Sequence, residues 1–179
     1  MGAFDSASLS QFVQLGLQGV STGAIYSLVA LGLVLGYKAT EVLNFAHGDV
    51  LMLSSFAAWY FIAEAGLSFW FALPLVVLLA ALLCWLLEAR VMRAIVGQPQ
   101  FAGVMLTIGI GFMIRGGVSM LFGPDSRTYD TPWTGQTTRI GGAVVADLNL
   151  VIVAAALGVT ALLFVFMART SLGVAIQAA

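Results

Sequence analysis

The side chains with the most capacity for chemistry lie together in residues 41–49, which read Glu-Val-Leu-Asn-Phe-Ala-His-Gly-Asp. This segment has a carboxylate at each end, the amide of Asn44 and the only imidazole of the chain, His47. Gly48 permits close approach of the backbone to a ligand. Such groups can hydrogen-bond a small polar solute. Since no nucleophile with an adjacent base accompanies them, the pattern favours binding over covalent catalysis.

The sequence has few residues that could bind a metal or a cofactor or form a disulfide. One histidine (His47) and one cysteine (Cys84) can form neither a zinc site nor an internal disulfide. Lys38 is the only lysine, and the residues around it lack the Gly-Lys-Ser/Thr ending of a phosphate-binding loop. We therefore expect no metal site, no cofactor and no catalytic residue, and we expect that this chain does not itself hydrolyse ATP.

The composition indicates whether these groups belong to a water-soluble protein or to a membrane protein. Of the 179 residues, 61% are hydrophobic and 8% are charged, whereas a soluble domain has about 45–50% apolar and about 25% charged residues. The excess apolar surface must face lipid. Seven basic residues against eight acidic ones leave no basic patch for nucleic acid. A soluble enzyme, a disordered chain and a nucleic-acid binder are thus excluded.

Uncharged apolar runs predict where the chain crosses the bilayer. Four runs of about 20 residues have the length that a bilayer requires: residues 12–36, 65–87, 94–114 and 148–168. A further apolar run, residues 50–63, would reach only about 21 Å as a helix and cannot span alone.

Two placements of residues 41–49 follow from this short run. In one, the segment is a cytoplasmic turn in which Asn44 or Asp49 caps the next helix. In the other, it enters the membrane, so that residues 39–63 form one discontinuous span. A short, glycine-interrupted apolar segment is typical of a transport site, which favours the second placement. The predicted fold is an all-α polytopic membrane helix bundle of about five spans, one of them discontinuous.

Further expectations concern single features of these elements. The Gly141–Gly142 pair in the water-facing residues 123–147 favours a small hairpin, with an irregular loop as the alternative. Cys84 is expected to pack in the bundle. Arg115, inside a span, is expected either to extend its side chain to the outer interface or to find a partner. The glycine pairs Gly19/Gly23 and Gly32/Gly36 in the first span indicate close helix packing.

Basic residues predict the orientation, because cytoplasmic loops carry an excess of Lys and Arg. With the turn after the second long run in the cytoplasm, four basic residues lie inside and two outside: Lys38, Arg90, Arg93 and Arg169 inside, Arg127 and Arg139 outside. The N-terminus is then outside and the C-terminus inside.

These motifs resemble a known family. Residues 23–33 (Gly-Ala-Ile-Tyr-Ser-Leu-Val-Ala-Leu-Gly-Leu), Gly36-Tyr37 and residues 43–49 (Leu-Asn-Phe-Ala-His-Gly-Asp) are similar to the amino-terminal part of branched-chain amino acid ABC transporter permeases, the H-type subunit of the Liv system. Residues 169–179 resemble the start of the cytoplasmic coupling loop of these permeases. The resemblance covers essentially the whole chain, and we expect residues 1–179 to be a single permease domain that stops within this loop.

The resemblance implies a role in a larger transporter. A periplasmic substrate-binding protein would deliver Leu, Ile or Val. Together with a second permease subunit, this chain would form the pathway across the bacterial inner membrane, and two cytoplasmic ATPase subunits would use the ATP. The pathway residues would be Asn44, Phe45, His47 and Gly48. The residues that contact the ATPase would be Arg169, Thr170, Gly173 and Ala178.

Alternatives to this interpretation remain open. The solute is a branched-chain amino acid, urea, an amide or another small amino acid, or the chain is a structural membrane subunit that transports nothing. If residues 44–49 are a solvated turn, the site is expected at Thr107 and residues 109–111.

Overall fold

The computed structural model describes residues 2–40, 42–91, 93, 97–140 and 143–169. Within these residues it contains five α-helices, a π-helical turn and two strands. These are α1 (Gly2–Thr40), α2 (His47–Trp59), the π-helical turn (Tyr60–Glu64), α3 (Phe69–Arg90), α4 (Gln100–Phe122), β1 (Thr137–Ile140), β2 (Ala143–Ala146) and α5 (Asp147–Arg169). The predicted all-α membrane bundle is confirmed.

Among the described residues, four helices are long and apolar enough to cross a membrane. They are Gln11–Lys38 within α1, Phe69–Arg90, Phe101–Phe122 and Asp147–Arg169. The boundaries of α4 differ from the predicted run of 94–114. Pro99 immediately precedes the helix in extended backbone, with φ −56° and ψ 145°, and Gly123 ends it with a positive φ of 80°, which glycine adopts without steric cost.

Helix α2 is the short element that the sequence predicted. It has 13 residues and continues without a break into the π-helical turn, which ends at Glu64. Gly66 follows with a positive φ of 67° and reverses the chain towards α3. Residues 42–46, between α1 and α2, are not helical. A helix that is preceded by irregular backbone therefore stands where a discontinuous span was expected.

The chain forms two compact units, residues 1–39 with 133–179 and residues 40–132. In the first unit, β1 and β2 pair antiparallel with Ile140 opposite Ala143. The predicted hairpin is therefore confirmed, while its Gly141–Gly142 turn lies outside the described residues. The buried hydroxyl of Ser21 on α1 lies 3.2 Å from the side-chain amide of Asn149 on α5.

In the second unit, α2 packs against both α3 and α4. Around the α2 end at Trp59, the ring of Phe122 contacts three other aromatic rings at centroid distances of 5.4–6.3 Å: those of Phe56, Trp59 and Tyr60. The guanidinium of Arg127 lies 4.9 Å from the centroid of the Trp59 ring. This aromatic cluster joins the far ends of α2 and α4, so the two helices are held together along their length.

The described residues provide no partner for two features that were expected to pack. A side chain at Gly19, Gly23 or Gly36 would meet no atom within 4 Å, so these glycines of α1 make no close helix contact there. Cys84 is exposed on α3. Both surfaces are apolar faces that this part of the chain leaves uncovered.

Candidate functional site

The turn into α2 is built by Asn44. Its side-chain oxygen accepts the N–H of Ala46 at 3.0 Å, and its carbonyl oxygen accepts the N–H of His47 at 3.2 Å. Ala46 occupies the N-cap position, where it has no side chain that can cap. Asn44 thus stabilises the turn two residues before the cap. The expectation that Asp49 caps this helix is wrong, because Asp49 lies in its first turn and its carboxylate has another partner.

Thr107 attaches the irregular segment to α4. The hydroxyl of Thr107, which is fully buried, accepts the N–H of Phe45 at 3.3 Å. The same oxygen lies 2.9 Å from the carbonyl of Val104 and 3.3 Å from that of Leu43, and it can donate to one of them at a time. A residue that the sequence suggested as a separate place to search is therefore part of the same site.

Gly111 permits a close approach of α2 to α4. A Cβ atom built on Gly111 would overlap the Asp49 carboxylate and would lie 3.7 Å from the Cα of Ala46. Only hydrogen at this position leaves room for the carboxylate. The first turn of α2 therefore depends on a glycine in the neighbouring helix.

The Asp49 carboxylate is bound by Arg115. One oxygen, Oδ1, accepts the Nε–H of Arg115 at 3.1 Å and an Nη2–H at 2.9 Å. The Asp49 side chain is 11% exposed, whereas 62% of the Arg115 side chain is free of contacts with this chain. The sequence left two possibilities for Arg115, extension of its side chain to the outer interface or pairing, and the structure shows pairing.

The ion pair lies at mid-depth of α4. Gly111, which touches the carboxylate, is the central residue of this 23-residue helix and is about 16 Å from either end. Arg115 lies one turn further on, and its side chain points back to this level. In a bilayer centred on α4, the charges would be near the midplane, where a charged side chain costs about 2.5–3.5 kcal/mol on insertion scales. Neutralisation by pairing reduces that cost.

The remaining predicted pathway residues lie beside this pair. Phe45 is 54% exposed. His47 is half-buried, and no hydrogen bond of its side chain is found in the described part of the chain. Gly48 is exposed and helical, has no positive φ, and has no atom within 4 Å of the position that a Cβ would occupy. The described part of the chain thus makes no close approach to Gly48, and the close approach between α2 and α4 occurs at Gly111.

A second concave feature lies on another face of α2. A groove of about 230 Å³ separates α2 from α3 and is lined mainly by apolar side chains. Its two serine hydroxyls, Ser54 and Ser55, each donate to a carbonyl four residues earlier in α2, at 2.8 and 3.0 Å. Because these hydroxyls are already engaged, the groove offers few free donors for a polar solute.

The predicted ATPase contacts are described only at their first residue. Arg169 is the last residue of α5. Thr170, Gly173 and Ala178 lie outside the described residues.

Sequence reasoning singled out the irregular segment, but it did not connect Asp49 to Arg115 or identify the role of Gly111. Asp49 and Arg115 are 66 residues apart. Two features of the sequence could have indicated this pair: a lone arginine inside one apolar run, and an acidic residue at the start of another apolar run.

Known proteins resemble this chain over much of its length. Residues 16–179 match the family described as branched-chain amino acid transport system / permease component. The high-affinity branched-chain amino acid transport system permease protein LivH of Salmonella typhimurium is 24% identical over 133 residues, which cover 70% of this chain and 43% of the relative.

Two further relatives give the same picture. LivH of Escherichia coli K12 is also 24% identical over 133 residues, which cover 70% of this chain and 43% of that relative. The permease protein BraD of Pseudomonas aeruginosa is 23% identical over 179 residues, which cover 93% of this chain and 58% of BraD. The chain therefore spans about half the length of the curated relatives it matches. No solved structure matches.

Proposed function

Because the chain belongs to the family of permease components of branched-chain amino acid transport systems, we propose that it forms part of the translocation pathway of an ATP-driven importer. The proposed solute is leucine, isoleucine, valine or a similar small amino acid. The observation that supports this role most is the irregular segment 42–46, which hydrogen-bonds to the middle of α4 and precedes a helix too short to span alone. Irregular backbone at membrane depth is tolerated where protein buries it or where it lines a water-filled cavity.

In this proposal, Asn44, Phe45, His47 and Gly48 line the pathway. A discontinuous helix can present backbone N–H groups at its N-terminus to an anionic group of the solute. Gly48 is exposed at this end of α2, so the backbone there is accessible. The exposed ring of Phe45 supplies apolar contact for an aliphatic side chain.

The proposed partners are a second permease subunit, two cytoplasmic ATPase subunits and a periplasmic substrate-binding protein. Arg169, Thr170, Gly173 and Ala178 would contact an ATPase. The proposed location is the bacterial inner membrane, with the N-terminus outside. Arg127 and the aromatic cluster at Trp59 would then lie at the outer interface, where aromatic rings are enriched.

Co-purification from native membranes tests the assembly. A tagged full-length protein is expected to bring down two ATPase subunits and a second permease, because the chain supplies part of a shared pathway. A control chain with a scrambled coupling segment at residues 170–178 should keep the second permease and lose the ATPases. Recovery of the tagged protein without either partner would contradict the proposal and would favour a structural membrane subunit.

A further inference from the structure

The ion pair between Asp49 and Arg115 leaves part of the guanidinium of Arg115 exposed. One oxygen of Asp49, Oδ1, accepts both hydrogen bonds from Arg115, and the other, Oδ2, lies beside Gly111. The guanidinium, in contrast, has N–H groups beyond the two that bind Asp49, and no other acceptor binds them within the described part of the chain. Because the Arg115 side chain is 62% exposed and that of Asp49 only 11%, the exposed side of the pair consists mainly of guanidinium donors.

The position of the pair along α4 argues against a simple interfacial role. A free arginine in the outer third of a helix extends towards the headgroups, but Arg115 turns back to the level of Gly111, the centre of α4. Unsatisfied donors at this depth face protein or a water-filled cavity, not lipid. An acceptor that reaches them comes from a solute in the pathway or from protein outside the described residues.

From this geometry we infer that Arg115 binds the carboxylate of the transported amino acid, with Asp49 acting as the positioning residue that orients the guanidinium. This inference rests on the proposed function and assigns its solute-binding group. Arginine is suited to the task, because its planar fork matches the two oxygens of a carboxylate. Since Asp49 balances the charge, the site carries directed donors at the midplane without a net charge.

The neutral double variant Arg115→Gln/Asp49→Asn separates solute binding from structure. An amide pair retains a hydrogen bond between α2 and α4 and leaves no uncompensated charge, so we expect assembly and thermal stability like the wild type. Uptake of labelled leucine by the complete transporter should fall about 10-fold or more, since a charge-assisted bond is lost. Normal uptake by this variant would show that the pair is only a structural lock and would overturn the inference.

Chemical rescue tests whether the positive charge itself is needed. In the full transporter, Arg115→Cys is combined with Asp49→Asn and Cys84→Ala and then treated with a methanethiosulfonate that adds an ethylammonium group. Because Asp49 is absent, any recovery reflects attraction of the solute carboxylate. We expect uptake to rise about fivefold with this reagent, as a charge-assisted bond is regained, and to remain low with the neutral hydroxyethyl reagent of similar size.

Equal recovery with both reagents, or recovery with neither, would overturn the assignment of Arg115. Loss of the second permease from the double variant on co-purification would also overturn it, because Arg115 would then bind a partner subunit. If the wild-type transporter takes up no amino acid at all, the proposed function fails. Transport by the wild type and by the double variant alike refutes only the role of Arg115.

Discussion

At the scale of single residues, the site depends on two residues of α4. Gly111 leaves room for the first turn of α2, and Thr107 binds the backbone just before that helix. The sequence predicted a polar segment at residues 44–49 from residue types alone. It could not assign the close approach to Gly111 instead of Gly48, since the register between α2 and α4 is set by packing between residues distant in sequence. The same holds for the pairing of Asp49 with Arg115.

The first prediction concerns Gly111. Gly111→Ala places a methyl group where the Asp49 carboxylate lies and should lower the free energy of unfolding by about 1–3 kcal/mol, the usual cost of overpacking. Gly116→Ala is the matched control, because a Cβ there meets no atom within 4 Å. Thermal unfolding of the two purified proteins in the same detergent measures the difference. Equal midpoints would contradict the close approach of the helices.

The second prediction concerns Thr107. Thr107→Val keeps the shape but removes the hydroxyl that binds the N–H of Phe45, so a buried donor loses its partner at a cost of about 1–3 kcal/mol. Thr107→Ser retains the hydroxyl and should unfold close to the wild-type temperature. The comparison is made by thermal unfolding together with uptake at matched expression. A valine variant as stable and active as the serine variant would remove Thr107 from the site.

At the scale of elements, apolar run length predicted four spans and the short α2 well, because each span is set by bilayer thickness. The boundaries of α4 were predicted less well, since Pro99 and Gly123 decide where that helix begins and ends. The absence of close contacts around the α1 glycines within the described residues was also not predictable, because a small-residue pattern does not say which chain provides the partner.

The third prediction concerns the start of α2. Asn44→Ala removes the acceptor of the buried Ala46 N–H and should destabilise the protein by about 1–3 kcal/mol. Gly48→Val should change the stability little, because Gly48 is helical, open to space and without a positive φ. Asn44→Asp, which retains the acceptor, is the control for Asn44→Ala. If Gly48→Val lowered the unfolding temperature more than Asn44→Ala does, the stabilising role of the Asn44 turn would be refuted.

At the scale of the whole molecule, the distribution of basic residues predicts the orientation in the membrane. The fourth prediction uses single cysteines at Ser126 and Thr170 in a Cys84→Ala background. In intact cells, Ser126→Cys should react with an impermeant maleimide and Thr170→Cys should not, because the proposed orientation places Ser126 outside and Thr170 inside. Both should react after the membrane is permeabilised. Labelling of Thr170→Cys from outside would reverse the orientation.

The central claim is that this chain forms part of an importer pathway for small amino acids, and solute uptake tests it most directly. The complete transporter is reconstituted in proteoliposomes with its binding protein, and uptake of labelled leucine and labelled urea is measured in parallel. We predict leucine uptake that requires both the binding protein and ATP, with little uptake of urea, since urea has no carboxylate for Arg115. Uptake of urea in preference to leucine, or no ATP-dependent uptake of either, would contradict the account.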